Sequence, residues 1–408
     1  MAGERQSNAG ALDGVRVLDL THQVAGPSAT LVLAFLGAEV VKVIPPGSRD
    51  SFDALPFYLN NASKKSIEVD LKSPEGHELA LRLVAVADVF VENFSPGVIE
   101  RLELSYEILS ELNPRLIYAQ IKGFARDSRY ESFPCFDPIS QAVGGGSSVT
   151  GEPDGLPMKP GPDVGDTGTG MMTAMSILAA LYQREATGLG QHIELAMTDN
   201  VATFLRIHYG WPIGNGTETP RFGNGPPFVV TTAPSDIYPC RPFGPNDYVH
   251  IHCGSDGQWR RLLEAIGRED LVGDPRFATM ASRGEHRAEV DAVVSAWTAE
   301  RDKMAAMETL GRAGVPAGAV RTTADILADR ELRDRGIFVE VKHPVHGEIV
   351  IPGWPVKMSR TSARVAAPPE PGQHTEEVLA DWLGLSPAEI AGVTGGDTGG
   401  SGTSEKAS

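Results

Sequence analysis

Asp166 sits in the run Gly165-Asp166-Thr167-Gly168-Thr169-Gly170, between a Pro/Gly-rich loop and an apolar helical stretch. The glycines leave the backbone around it bare, so a bulky group has room to approach the carboxylate. N–H groups at the helix start are placed to hold an oxyanion, a device of acyl chemistry. The plain alternative is a helix cap, because Asp is a preferred N-cap residue. Other reactive types gather elsewhere: His22 and Gln23 after the first apolar strand, the Lys64–Lys65 pair, Asn93-Phe94 at a strand end, and Arg101 one helical stretch later. An amide, an aromatic ring and several cations on one edge suit a nucleotide carrying phosphates. For the lysines, which Lys72 follows, a solvated face is the plain alternative.

The elements that position these residues are legible in the hydrophobic pattern. Residues 14–21, GVRVLDLT, read as a buried strand, TLVLAFLG as a helix ending at Gly37, and EVVKVI as the next strand, stopping at Pro45-Pro46-Gly47. This is a βαβ unit and predicts an α/β fold with a parallel, doubly wound sheet. The loop after the first strand is where such sheets bind ligands, and His22 and Gln23 lie in it. SIEVDL, DVFVENF and LIYAQIKGF read as further strands, with a helix opening at Ser73-Pro74-Glu75. Met171, Met175, Leu178 and Leu181/Tyr182 recur at helical spacing, which predicts that they form the buried face of the helix after Asp166. No GxGxxG follows the first strand and no GxxxxGK[ST] occurs, so dinucleotide and P-loop readings fail.

The 408 residues allow two domains, and 41% hydrophobic with 22% charged residues is ordinary for a globular protein. The net charge of −17 argues against nucleic-acid or anionic-membrane partners. Cys135, Cys240 and Cys253 show no metal spacing, and with no signal-like N-terminus a reduced cytoplasmic setting is expected. Further on, DYVHIHC and VPAGAV read as strands, with helices between them, and residues 337–358 as a hairpin turning at HPVHGE. His250 and His252 share one strand face, but no third ligand accompanies them, so no metal is expected. The expected organisation is a large domain at 11–205, a linker at 206–230, a small domain at 231–330, a return segment with a last helix at 331–392, and a disordered tail at 393–408.

Taken in order, the segments GVRVLDLTHQVAGPSAT, LGAEVVKV, KKSIEVDLKSPEG, ADVFVENFSPGVIERL, NPRLIYAQIKGF, VGDTGTGMMTAMSILAALYQREATGLGQHIELAM, AGVPAGAV, GWPVKMS and GQHTEEVLADWLG make the chain resemble the family III CoA-transferases from about residue 11 to 392. That group holds formyl-CoA:oxalate and carnitine CoA-transferases and the CoA-dependent α-methylacyl racemases. The resemblance implies a Rossmann-like large domain with a smaller α+β domain, in an interlocked homodimer. It also implies that Asp166 is the catalytic aspartate. By the same resemblance His22, Gln23, Lys64, Lys65, Asn93, Phe94, Arg101 and Asp137 are CoA contacts, with Lys42 a weaker match. Val24 and the Gly223-Asn224-Gly225 segment match the substrate loop, and the prolines after Gly225 would stiffen any lid. Two departures stand out. Ile44 replaces a glutamate common before the Pro-Pro-Gly turn. The racemase histidine is missing from Cys135-Phe136-Asp137.

The implied reaction is acyl-CoA:carboxylate CoA transfer through an aspartyl anhydride and aspartyl-CoA relay, with CoA thioesters as substrates and no permanently bound cofactor. The apolar, proline-bearing stretch from Arg221 onward points to a bulky, aryl-substituted acid as acceptor and, by analogy, succinyl-CoA as donor. The alternatives are a racemase or epimerase on the same fold, which would need a proton donor on each face of the α-carbon. A third reading is a CoA-binding subunit of a hetero-oligomeric transferase with a paralogous partner.

Overall fold

A computed structural model describes residues 10–47, 58–226 and 232–393. Pro227 and Phe228 of the glycine-rich segment, and the tail beyond 393, lie outside these. The described residues divide into two compact units.

The first unit comprises residues up to 144, 161–203 and from 335 onward. Its centre is a six-stranded parallel sheet of β1 (Arg16–Asp19), β2 (Glu39–Ile44), β3 (Lys65–Glu68), β4 (Val89–Glu92), β5 (Ile117–Lys122) and β6 (His192–Ala196), in the order β3-β2-β1-β4-β5-β6. The inner strands β1, β4 and β5 are short apolar runs buried on both faces, as a parallel sheet covered by helices requires. Side chains alternate between two cores. Val17, Val40, Val89, Val91, Ile117 and Ala119 face one; Leu18, Val41, Ile67, Phe90 and Tyr118 face the other. Helix α1 (Ala25–Phe35) covers the first core. The other core takes α2 (Pro74–Val86), capped by Ser73, and the apolar face of the late helix Thr375–Leu383.

The chain reverses direction across the sheet between β1 and β4, which pair directly. Crevices form at such switch points, outside the carboxyl ends of the strands. The short helices α3 (Val98–Arg101), α4 (Tyr106–Leu112) and α5 (Asp137–Val143) follow β4 and β5. The long helix α6 (Thr167–Thr187) then leads into β6 and α7 (Met197–Phe204).

Helix α6 forms as the spacing predicts, with Leu181 buried and Leu178 packed on the first core, but the rest of the expected face is exposed. Met171, Met175 and Tyr182 are 58, 55 and 84% exposed, while Thr169, Gly170, Thr173, Ala174, Ile177 and Ala180 are buried. The reason is close packing on α1. A Cβ on Gly170 would stand 2.6 Å from the Ala25 carbonyl oxygen and 2.7 Å from Ser28 Cβ, so the contact needs the small-residue face.

The second unit comprises 145–160 and 204–334; residues 145–160 therefore cluster apart from their sequence neighbours on either side. It holds an antiparallel sheet of β7 (Ser235–Pro239), β8 (Tyr248–His252) and β9 (Ala317–Ala319). Helices α8 (Asp256–Ala265), α9 (Arg287–Thr298) and α10 (Lys303–Arg312) pack with it around Trp259, Leu262, Val290, Val294 and Leu310. Back in the first unit, β10 (Phe338–His343) and β11 (Gly347–Pro352) form an antiparallel hairpin, as the sequence predicts. The buried His343 ties its turn: Nδ1 accepts the N–H groups of Val345 and His346, and Nε2 lies 3.3 Å from Glu370 Oε1. His343, His346 and Glu370 come close enough for one ion. Because Nδ1 accepts, however, the ring proton sits on Nε2, the atom that would face the ion.

Candidate active site

The switch-point crevice is built by a reciprocal pair of bonds. The His22 N–H donates to Asn93 Oδ1 at 2.7 Å, and Asn93 Nδ2 donates to the His22 carbonyl at 2.9 Å. The His22 and Phe94 rings lie 5.1 Å apart, centroid to centroid. Gln23 adopts φ +62°, a left-handed conformation that costs energy for a residue with a Cβ. The cavity here has a volume of about 360 Å³. His22, Gln23, Asn93, Phe94, Lys122, Phe133, Cys135, Phe136 and Met197 are among its lining residues, and Asp166 opens into it.

Asp166 occupies the N-cap position of α6 but does not act as a cap. Its backbone is αR (φ −84°, ψ −70°), and its side chain makes no capping hydrogen bond. Three amides at this helix start are occupied. Gly165 and Asp166 donate to Asp137 Oδ1 at 2.9 and 3.3 Å, and Thr167 donates to the Asp163 carbonyl at 2.8 Å. Asp137 itself, expected among the CoA contacts, is buried and turned toward this loop, because it opens α5 directly beneath Gly165.

The lysine pair does not join the cavity. Lys64 is buried, donating to Asp19 Oδ2 at 3.0 Å, to the Pro27 carbonyl at 3.1 Å and to Asn61 Oδ1 at 3.0 Å. Lys42 is equally buried on the same aspartate and donates to the Thr21 carbonyl. Burial alone would raise the Asp19 carboxyl; Lys42, Lys64 and the Thr21 and Thr30 hydroxyls outweigh it and hold Asp19 far below the usual carboxylate range. Burial brings the Lys64 ammonium down to about 8 against the pull of Asp19, with Lys42 adding to the fall. These lysines thus tie down both ends of the loop that carries His22 and Gln23, from beneath.

Lys65 reaches back toward the amino ends of the strands, bridging Glu39 and Glu377 at 2.5 and 2.8 Å. Arg101 is exposed at the end of α3, beside the cavity wall that Val98 forms. Val24 precedes α1 between Gln23 and Ala25. Gly223, Asn224 and Gly225 belong to the second unit. There the Gly223 N–H donates to the Gly151 carbonyl, Asn224 Nδ2 donates to Asp236, and the Asn224 carbonyl meets His250 Nε2 at 3.0 Å. His252 Nδ1 pairs instead with Ser235 Oγ.

Sequence reasoning missed Lys122. Its ammonium donates to the Phe94 carbonyl at 2.6 Å and pairs with the buried Glu92 at 2.9 Å. Burial raises the Glu92 carboxyl against the pull of Lys122. The signal was a cation at the very end of a strand, just before Gly123. Cys135 also lines the cavity. Its thiol is pushed up to about 11 by burial and by the charges of Asp166 and Asp137, so it is a poor base or nucleophile near neutrality. Gly123 makes room for it, since a Cβ there would lie 2.1 Å from Cys135 Cβ.

Residues 12–375 match the family described as CoA-transferase family III. A formyl-CoA:oxalate CoA-transferase of Rhodopseudomonas palustris is 37% identical over 409 residues, covering 94% of this chain and 96% of that protein. One of the same name from Streptomyces coelicolor is 38% identical over 403 residues, covering 93% and 97%. Among solved structures, a CAIB/BAIF family protein from Brucella suis matches with TM-score 0.83 at 32% identity, covering 92% of this chain and 100% of that one. Rv3272 from M. tuberculosis matches with TM-score 0.77 at 30% identity, covering 90% and 98%. With a parallel sheet in 3-2-1-4-5-6 order and a carboxylate at its switch-point cavity, the chain belongs to the family III CoA-transferases, enzymes that pass CoA between carboxylic acids.

Proposed function

We propose that Asp166 is the nucleophile of this CoA-transferase. The observation that carries the reading is its placement: the carboxylate opens into the switch-point cavity and is not spent on capping its own helix. The Asp166 oxygen attacks the donor thioester carbonyl, the C–S bond breaks, and CoA leaves as thiolate, giving a mixed anhydride. The thiolate attacks the Asp166 carbonyl, releasing the donor acid and leaving an aspartyl-CoA thioester. The acceptor carboxylate displaces CoA from that thioester to form a second anhydride. CoA thiolate then attacks the acceptor's carbonyl and restores Asp166. Each step exchanges one acyl bond for another, so the site needs positioning and exclusion of water more than acid–base strength. In this reading His22, Gln23, Asn93, Phe94 and Arg101 receive the CoA moiety, and Lys122 holds the Phe94 carbonyl beside them. The enzyme works as a homodimer in this reading.

For the substrate pair, formyl-CoA and oxalate come first, on the names of relatives that match nearly the whole chain. An aryl-substituted acid with succinyl-CoA is the second reading, favoured by the apolar wall of Phe94, Phe133, Phe136 and Met197. Assays with each pair separate them. Oxalyl-CoA from formyl-CoA and oxalate supports the first; arylsuccinyl-CoA from succinyl-CoA, with no oxalyl-CoA, supports the second. Exchange of the α-proton of a 2-methylacyl-CoA with deuterated water, without any transfer, would replace both with racemisation.

A further inference from the structure

Asp166 begins a 21-residue helix yet does not cap it, and a second aspartate explains how. A capping Asp has extended backbone and turns its carboxylate onto the following amides. Asp166 instead has helical dihedrals, and the anion at this helix start comes from Asp137. Asp137 is only 5% exposed. Its Oδ1 accepts the N–H groups of Gly165 and Asp166, and its Oδ2 accepts from Gln141 Nε2 at 2.7 Å. Gln141, fully buried, also donates to the Pro162 carbonyl at 3.3 Å, tying the incoming loop to α5. Ser140 Oγ donates to the Asp137 carbonyl and lies where a Cβ on Gly165 would come within 2.1 Å. The loop therefore sits directly on the start of α5, and only glycine at 165 allows it.

We propose that Asp137 is a positioning residue. By holding the two amides at Gly165 and Asp166 it fixes the backbone from which the Asp166 carboxylate projects into the cavity, and it prevents that carboxylate from folding back as a cap. The proposal rests on the reading of Asp166 as nucleophile. Asp137 contacts no CoA in this account, which separates it from the cavity-lining residues. The requirement is acceptor geometry, not charge. Asn at 137 keeps an oxygen for both amides, and Gln141 can flip its amide to present Oε1, which has no hydrogen-bond partner, to the new NH₂ group at the cost of its long 3.3 Å bond to the Pro162 carbonyl.

The test uses full-length Asp137→Ala, Asp137→Asn and Gly165→Ala. Three quantities are measured: affinity for CoA by calorimetry, the single-turnover rate of acyl transfer onto the enzyme from formyl-CoA and succinyl-CoA, and hydrogen exchange of a peptide spanning 163–168. Asp137→Ala and Gly165→Ala should slow acylation about 100-fold, the usual cost of displacing a reacting group by about 1 Å, while CoA affinity changes less than about 3-fold. Both should lose protection at 165–166. Asp137→Asn should stay within about 10-fold of wild type. An alanine variant that folds and acylates at the wild-type rate overturns the proposal, as does an asparagine variant as slow as the alanine one. If Asp137→Ala does not fold, the asparagine and Gly165→Ala variants decide on the same criteria. Failure of the nucleophile reading looks different: the wild type itself would carry no acyl group on Asp166, while the exchange data would still report whether Asp137 holds the loop.

Discussion

The first unit has clefts at both ends of its sheet, and the larger one has the weaker claim to chemistry. The cleft near the amino ends of the strands has a volume of about 1260 Å³ and is lined by Arg16, Lys65, Arg364, Asp13, Glu39 and Asp88. Its cations are paired with carboxylates: Arg16 with Asp381, Lys65 with Glu39 and Glu377, Arg364 with Asp13. The carboxyl-end cavity is about 360 Å³, yet it gathers a loop under strain at Gln23, a reciprocal amide bridge at Asn93 and the Asp166 carboxylate. Volume alone does not mark a site. Strand direction does, because loops leaving the carboxyl ends converge at the switch point, while at the amino ends the cations are taken up by surface ion pairs.

Four further substitutions and one pH series test this contrast. Asp166→Asn should lower kcat at least about 1,000-fold, as loss of a nucleophile does, with a thermal midpoint close to wild type. Gly170→Val should destabilise the first unit by about 1–3 kcal/mol in denaturant unfolding, because the added carbons meet the backbone of α1. Asn93→Ala, which removes both bonds to the His22 backbone, should cost about 1 kcal/mol of stability and raise the KM for the thioester about 10-fold. Lys64 has a folded-state pKa lowered from 10.5 to about 8, so the unfolded chain holds the extra proton between those values. Its contribution to stability therefore rises with pH across that window and is least favourable below it. The difference in unfolding free energy between wild type and Lys64→Met should shift toward the wild type from pH 8 to 10.5. Arg364→Ala, at the amino-end cleft, should cost below about 1 kcal/mol and leave turnover unchanged, since both charges of its pair are partly exposed.

Much of the frame was legible from pattern alone. Val15, Val17, Leu18 and Leu20 between Gly14 and Thr21 mark a buried strand, and the helix and strand that follow dictate a parallel sheet. That placed His22, Gln23 and Asn93 at the carboxyl edge, where β1 and β4 pair. Two things were not legible. Side-chain reach is one: Lys64 and Lys65 are adjacent, yet one turns inward to Asp19 and the other back to Glu39. The buried face of α6 is the other. The methionine stripe carries the stronger apolar signal, but steric fit against α1 favours Gly170, Thr173 and Ala174, whose smallness a hydrophobicity pattern does not weigh. Asp137 was expected among the CoA contacts, and its bonds to the start of α6 went unread for a related reason, since these partners are backbone amides 28 and 29 residues away.

If CoA transfer runs through a covalent bond to Asp166, the enzyme-bound acyl group can be trapped there. The most direct test is to mix full-length enzyme with formyl-CoA or succinyl-CoA in the absence of acceptor, trap with hydroxylamine or borohydride, digest, and locate the modified peptide by mass spectrometry. A hydroxamate or reduced side chain is expected at Asp166, and none in Asp166→Asn. An unmodified Asp166 in enzyme that turns over, together with activity retained in Asp166→Asn, would contradict it.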